Sequence, residues 1–285
     1  MTDSTHGRLV VSRATLDDWR VVTGWAADEG WNPGLVDAPS FFAQDPEGFF
    51  VGRVDGELVS AVSVVNYGER YAFLGFYLVR PGLRGKGFGL ATWRAGLAHA
   101  GDRTVGLDGV PDQQDNYRRS GFTWKHGTLR YLGRLTAVDV PDRYVRPVEA
   151  AGFKALMAYD SACVPADRPR FLESWLAAPG HRALARIVDG RLTGYGVIRP
   201  GRDARRVGPL FADTRADAEA LLDALAVDAD GTPVAIDVPE NNPEAVALAE
   251  ARGMKPTFDT ARMYTGPVRD FTQERVFGVT TLELG

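Results

Sequence analysis

Two halves of this chain answer each other at a spacing that no short-period repeat gives. Val54-Asp55-Gly56-Glu57-Leu58 returns as Val188-Asp189-Gly190-Arg191-Leu192, and Leu107-Asp108 returns as Ile236-Asp237. Arg13-Ala14-Thr15 matches Arg146-Pro147-Val148, and Arg119-Ser120-Gly121-Phe122 matches Ala251-Arg252-Gly253-Met254. Near each end, Arg130-Tyr131-Leu132-Gly133 matches Arg262-Met263-Tyr264-Thr265-Gly266. The partners lie roughly 130 residues apart, the length of a domain and not of a solenoid turn. In a chain of 285 residues this predicts two copies of one α/β unit, each with a core of its own. The units are expected to span 1–137 and 138–285, with Val138-Asp139-Val140-Pro141-Asp142 as the linker.

Local patterns fill in one unit. Leu9-Val10-Val11 reads as a strand, and Thr15 caps a helix that begins with the acidic turn Leu16-Asp17-Asp18 and runs to about Ala27. Phe49 to Val54 and Leu58 to Val65 flank Asp55-Gly56-Glu57, a hairpin signal. Thr104 to Asp108 predicts a buried strand, Gln113 to Ser120 a short helix, and Phe122 to Arg134 a final strand or pair.

Between the hairpin and that buried strand lies Phe76-Tyr77-Leu78-Val79-Arg80-Pro81-Gly82-Leu83-Arg84-Gly85-Lys86-Gly87-Phe88-Gly89, and Leu90, Trp93 and Leu97 follow at helical spacing. This is a strand, a glycine-rich loop and a helix. Such a loop turns backbone amides toward an anion, the helix aims its positive end there, and Arg84 and Lys86 add charge. A phosphate or pyrophosphate is the expected ligand. Gly87 is followed by Phe88 and not by Ser or Thr, which excludes a Walker-type loop, and Leu90 stands where a dinucleotide fingerprint needs its third glycine. The second copy has no glycine between Gly208 and Gly231, and Asp213, Asp217 and Glu219 crowd its helix start, so one ligand per chain is expected.

Composition removes several classes. The formal net charge of −4 offers no basic footprint for nucleic acid. No apolar run approaches the roughly 20 residues of a membrane span. Met1 to Val10 lacks the pattern of a secretory leader, and the single Cys163 fits a reducing compartment, so a cytoplasmic location is expected. Cys163 reads as packing. His6, His99, His126 and His181 show no metal-ligand spacing, and no metal is expected.

Arg84, Gly87 and Gly89 match the acyl-CoA signature of the GNAT N-acyltransferase superfamily: Arg or Gln, two residues, Gly, one residue, Gly or Ala. The whole chain resembles a tandem GNAT group in which an active first unit precedes a diverged second one. The ending Phe277 to Gly285 is similar to that of the holothin-acyltransferase-like second domains. The resemblance implies an α/β fold of two GNAT-like domains, each a mixed, largely antiparallel sheet flanked by helices. It implies an acyl-CoA-dependent N-acyltransferase using acetyl-CoA or another acyl-CoA, by direct attack of a primary amine of a small molecule. Leu78 and Val79 would pair with the pantetheine arm, and amides from Arg84 through Gly85, Lys86, Gly87, Phe88 and Gly89 would hold the pyrophosphate.

The same resemblance makes Tyr117, four residues before Gly121-Phe122, the acid that protonates the leaving thiolate. The sequence departs from the family where Asp108-Gly109-Val110-Pro111-Asp112 replaces a longer lead-in and Asn116 adjoins Tyr117. An alkylammonium must lose a proton before it attacks. Asp108, at the end of the fifth strand, is the first candidate base; Glu29 and the terminal carboxylate of Gly285 follow, the last by analogy with the enhanced-intracellular-survival type. Trp25, Trp31, Phe41 and Phe42 are broken up by Asn32-Pro33-Gly34 and Pro39, as in a loop over a pocket, so Glu29, Trp31 and Phe41 are candidate acceptor contacts. Competing expectations are a protein N-acetyltransferase, which needs an open groove, and a non-catalytic acyl-CoA sensor. Oligomeric state is not legible.

Overall fold

The protein, seen here as a computed structural model, is described at residues 7–136 and 142–285, so the expected linker 138–142 lies, except for Asp142, outside the described residues. In the first half, β1 (Leu9–Arg13) leads into α1 (Leu16–Asp28), whose start is fixed by a reciprocal capping box between Thr15 and Asp18. After α2 (Ala38–Gln44) come β2 (Phe49–Val54), β3 (Glu57–Tyr67) and β4 (Tyr71–Val79). Then follow α3 (Phe88–Ala100), β5 (Thr104–Gly109), α4 (Gln114–Arg119) and one long strand, β6 (Thr123–Gly133).

The second half runs through the same plan. It has β7 (Val145–Pro147), α5 (Phe153–Ser161), α6 (Pro169–Ala177), β8 (Arg182–Val188), β9 (Arg191–Arg199) and β10 (Arg205–Ala212). It continues with α7 (Arg215–Ala226), β11 (Val234–Pro239), α8 (Pro243–Ala251), β12 (Lys255–Tyr264) and a short additional strand, β13 (Val276–Gly278). Both hairpin tips adopt the same left-handed pair, Asp55-Gly56 at φ 53° and 85° and Asp189-Gly190 at 49° and 77°. That geometry suits the right-handed twist of the strands they join.

The halves do not close separate sheets. Their strands form one sheet in the order β1-β2-β3-β4-β5-β12-β6-β11-β10-β9-β8-β7, with β13 paired to β10. Each half therefore lends its last long strand to the other: β12 lies on β5, β6 lies on β11, and the two lent strands pair with each other. Thr128 stands opposite its own counterpart, Thr260, at the centre of the exchange.

Register then puts an arginine of each lent strand opposite an aspartate of its host. Arg130 faces Asp237 and Arg262 faces Asp108. Arg262 grips both Asp108 oxygens at 2.8 and 2.7 Å, and Arg130 grips both Asp237 oxygens at 2.7 and 3.1 Å. Arg206 also donates to Asp237, and a third buried pair, Arg199 with Asp37, ties β9 to the start of α2. Although burial opposes it, Arg130 and Arg206 pull the Asp237 carboxyl down to about 2. Burial again opposes the shift at Asp37, where Arg199 and His181 hold the carboxyl below its usual value. Both folded values lie below the unfolded one, so these groups stabilise the fold above about pH 4 and lose that effect as pH falls toward 2. The expected result is a urea midpoint that is flat down to about pH 5 and drops steeply below about pH 4.

Aromatic side chains fill the seam between the halves. Phe41 stacks on Phe171 and Trp175, with ring centroids 6.4 and 6.2 Å away, and also meets Phe76. Trp19 packs edge-on against Phe49 and Phe76. Phe41 is thus a buried core residue between α2 and α6, and not an acceptor contact; the aromatic density of this segment serves packing. Cys163 is also buried, and burial pushes its thiol up, as suits a packed side chain.

Candidate active site

A cleft of about 740 Å³ opens where β4 and β5 part. These strands pair in parallel from Tyr71 with Thr104 to Leu74 with Leu107. Past Leu74 the strand bends: Phe76 takes φ 47°, and the register against β3 shifts between Ala61 and Ser63. Such a bulge re-aims the backbone. From Gly75 to Val79, the β5 side of the strand has no ladder partner among the described residues and forms a wall of the cleft, where Leu78 and Val79 stand.

The glycine loop closes one end of this wedge. Gly85 and Gly87 have φ of 79° and 83°, conformations that favour glycine, and an added Cβ at either would meet nothing within 4 Å. Gly87 caps α3, so the first-turn amides of that helix point into the same space. Gly89 sits where a Cβ would come within 2.7 Å of the Tyr77 hydroxyl and of Val79, which is how α3 packs close to β4. Phe88 and Gly89 border the cleft. Arg84 is tethered to the Val79 carbonyl at 3.2 Å and pairs at the rim with Glu29. Bare amides, a helix start and a cation fit a diphosphate.

Tyr117 reaches the cleft from α4, its ring stacked on Trp93 at 5.6 Å. Its hydroxyl makes no hydrogen bond among the described residues, and burial, with Tyr77 nearby, pushes the phenol up, so it holds its proton at neutral pH. Asn116 instead bonds Gln113 on the surface. Glu29 and Trp31 border the cleft.

Asp108 does not match its expected role as base. Its backbone borders the cleft, but its side chain is fully enclosed and both oxygens are occupied by Arg262. A carboxylate chelated by a guanidinium has little capacity left for an incoming proton. Gly285 is likewise away from the cleft. It rests against Phe73, its carbonyl accepts from Arg168 at 3.1 Å, and it borders a separate small pocket.

The corresponding place in the second half is filled by protein. There β10 and β11 pair in parallel from Arg205 with Val234 to Val207 with Ile236 and then part, as β4 and β5 do. β13 enters the gap, pairing with Leu210 and Phe211, and the Val279 amide bonds the Asp237 carbonyl at 2.9 Å. Thr214 caps α7 with its own side chain. Arginines offset the three acids expected to repel a pyrophosphate: Asp213 pairs with Arg191 and Arg275, Asp217 with Arg186, and Glu219 with Arg215. A strand, more than charge, closes this cleft.

Beyond β13 the chain crosses to the open cleft, where Leu282 and Glu283 line its wall. Thr281 organises the turn by accepting from the amides of Glu283 and Leu284, and Tyr67 donates to the Leu284 carbonyl at 2.9 Å. A Cβ on Gly75 would come within 2.1 Å of the Glu283 carbonyl, so bare backbone at the bulge admits this crossing. Sequence reasoning missed Glu283; the available signal was one acid in the apolar run Phe277 to Leu284.

Comparison with known proteins agrees with this geometry. Residues 14–122 match the Acetyltransferase (GNAT) family, and residues 156–278 match an Acetyltransferase (GNAT) domain. Holothin acyltransferase of Pseudoalteromonas sp. (strain SANK 73390) is 36% identical over 282 residues, covering 98% of this chain and 96% of that protein. Among solved structures, an acetyltransferase-class chain from Pyrococcus horikoshii superimposes with a TM-score of 0.82 at 20% identity, covering 100% of this chain and 99% of that one. A tandem GNAT protein from the clavulanic acid biosynthesis pathway gives a TM-score of 0.62 at 20% identity, covering 91% and 99%. Among the described residues no helix is long and apolar enough to cross a membrane. With two GNAT units in tandem, the chain belongs to the GNAT acetyltransferase family and is an acyltransferase.

Proposed function

We propose that the first unit binds one acyl-CoA, acetyl-CoA being the simplest donor, and transfers its acyl group to a primary amine of a small molecule. One observation carries the reading: the parted strands and the bare glycine loop form a continuous cleft in the first half, while β13 fills the matching gap in the second. In this reading the diphosphate rests on residues 84–89 and the pantetheine arm pairs with the exposed edge at Leu78 and Val79. The amine attacks the thioester carbonyl, the C–S bond breaks, and Tyr117 gives its proton to the thiolate. The bulge at Phe76 frees backbone amides to meet the developing oxyanion. The units are kept at 1–137 and 138–285, each lending a strand to the other. Holothin, named for the relative, supports a small-molecule acceptor here.

The test has two arms. Calorimetry with acetyl-CoA is expected to show one site per chain. Gly87→Val, which forces a β-branched residue into a left-handed conformation and fills the cradle, is expected to weaken binding at least tenfold, about 1.4 kcal/mol. A thiol-release screen of holothin and a panel of primary amines against acetyl-CoA and longer acyl-CoAs then identifies the acceptor. Binding without release from any amine indicates a sensor, and CoA binding unaffected by Gly87→Val removes the loop from the reading.

A further inference from the structure

We infer that Glu283, delivered from the second half, is the general base that takes the proton of the acceptor's ammonium in the first half's cleft, and that the acceptor therefore enters as a cationic primary amine. The inference rests on the acyl-transfer reading above.

The buried aspartates and Glu283 are held very differently. Asp37, Asp108, Asp160 and Asp237 are each clasped by an arginine. Glu283 is just as buried, yet it makes no ion pair among the described residues, and its Oε2 is shut from solvent without a hydrogen-bond partner. Arg206 and Arg130 offset its charge without pairing with it, and a buried oxygen without a hydrogen bond is costly unless a ligand or water meets it. Glu283 lines the cleft, and its backbone lies against Gly75, next to the β4 bulge where the thioester carbonyl would sit. Its surroundings tune it further. Burial, with Asp237 and Asp37 adding like charge, pushes the carboxyl above its usual value, while Arg206 and Arg130 from β10 and β6 pull the other way. A raised carboxylate is the better proton acceptor near neutrality.

Of the other acids at the acceptor end, Asp259 makes no ion pair among the described residues. Asp259 borders the cleft beside Trp31, and Glu29, which pairs with Arg84, stands at its rim; Arg130 already covers one face of Phe258 at 5.3 Å. Arg84 lies with the phosphate loop, and Asp108 is neutralised by Arg262.

The protons balance. The ammonium gives one proton to Glu283, directly or through one water, and the neutral nitrogen attacks the thioester carbon. Collapse breaks the C–S bond, the thiolate takes the Tyr117 proton, and the second proton shed by nitrogen restores the phenol. Glu283 releases its proton to solvent. The sum is acyl-CoA plus ammonium giving amide, CoA thiol and one proton.

The test uses the full chain, acetyl-CoA and the alkylamine of the panel that the wild type acylates. Glu283→Gln is expected to lower kcat about 10²- to 10³-fold while acetyl-CoA affinity stays within about twofold. The wild-type profile of kcat/KM is expected to fall about tenfold per pH unit below the raised carboxylate value, and the variant to lose that acid limb. If the glutamine variant does not fold, Glu283→Asp carries the test: a base role shifts the acid limb and lowers kcat with donor affinity held. A Gln variant that keeps more than a tenth of kcat, or an acid limb unchanged in either variant, overturns the inference and leaves the acyl-transfer reading standing. A wild-type protein that binds acetyl-CoA but releases no thiol with any amine overturns that reading and this inference together.

Discussion

Replacing Arg262 with methionine is expected to lower the unfolding free energy by about 3–5 kcal/mol, the range seen when one partner of a buried ion pair is removed. Asp108 would be left enclosed and charged with neither oxygen satisfied. The loss is large against the roughly 5–15 kcal/mol that holds a typical domain together. Methionine keeps most of the volume over the Phe73 ring, which the guanidinium now covers at 5.1 Å, so the effect reports charge more than a cavity. Urea unfolding by circular dichroism measures it. Combining Arg262→Met with Asp108→Leu removes both charges and is expected to recover most of the stability, because a buried pair exchanged for apolar side chains is often near neutral. The double variant also separates two roles for Asp108. As a structural partner, its loss leaves thiol release within about tenfold of wild type; loss of two or more orders of magnitude in turnover with stability restored would make Asp108 a participant in the chemistry.

Tyr117→Phe is expected to reduce kcat by about 10²- to 10³-fold with acetyl-CoA affinity largely unchanged. The substitution removes one oxygen that has no hydrogen-bond partner among the described residues and leaves the ring stacked on Trp93, so the melting temperature should barely move. Because burial holds the phenol above its usual value, Tyr117 adds no fall in activity as pH rises toward 10. Stopped-flow thiol release with the acceptor saturating isolates the step. Wild-type turnover by the phenylalanine variant would return the leaving group's proton to solvent and make Tyr117 a packing residue.

The duplication, the hairpins, the glycine loop and its helix were legible because each is written locally: Asp-Gly tips, alternating strands and helical spacing need no knowledge of the partner half. What was not legible is which strand lies beside which. Leu107-Asp108 and Ile236-Asp237 were matched as repeats, as were Arg130 and Arg262, but only the exchange of β6 and β12 brings Asp108 to Arg262 and Asp237 to Arg130. The twinning itself argues for a structural Asp108, since the half without a cradle carries the same residue as Asp237. Phe41 failed for a related reason: its partners, Phe171 and Trp175, come from the other half. Glu283 is not legible because only the crossing from β13 past Gly75 brings it to the cleft. The β10–β11 gap that β13 fills cannot be seen in a pattern of apolar residues.

The short strand β13 turns the filled gap of the second unit into a mechanical asset. The segment 279–285 is held at its root by β10 and β11 and further along by Tyr67 and Arg168, so it presents the Glu283 side chain at a fixed place. Obstructing one site is thus the means of furnishing the other. Changes that loosen the obstructed groove, although they touch neither donor nor acceptor, would be felt as a slackened reagent across the molecule.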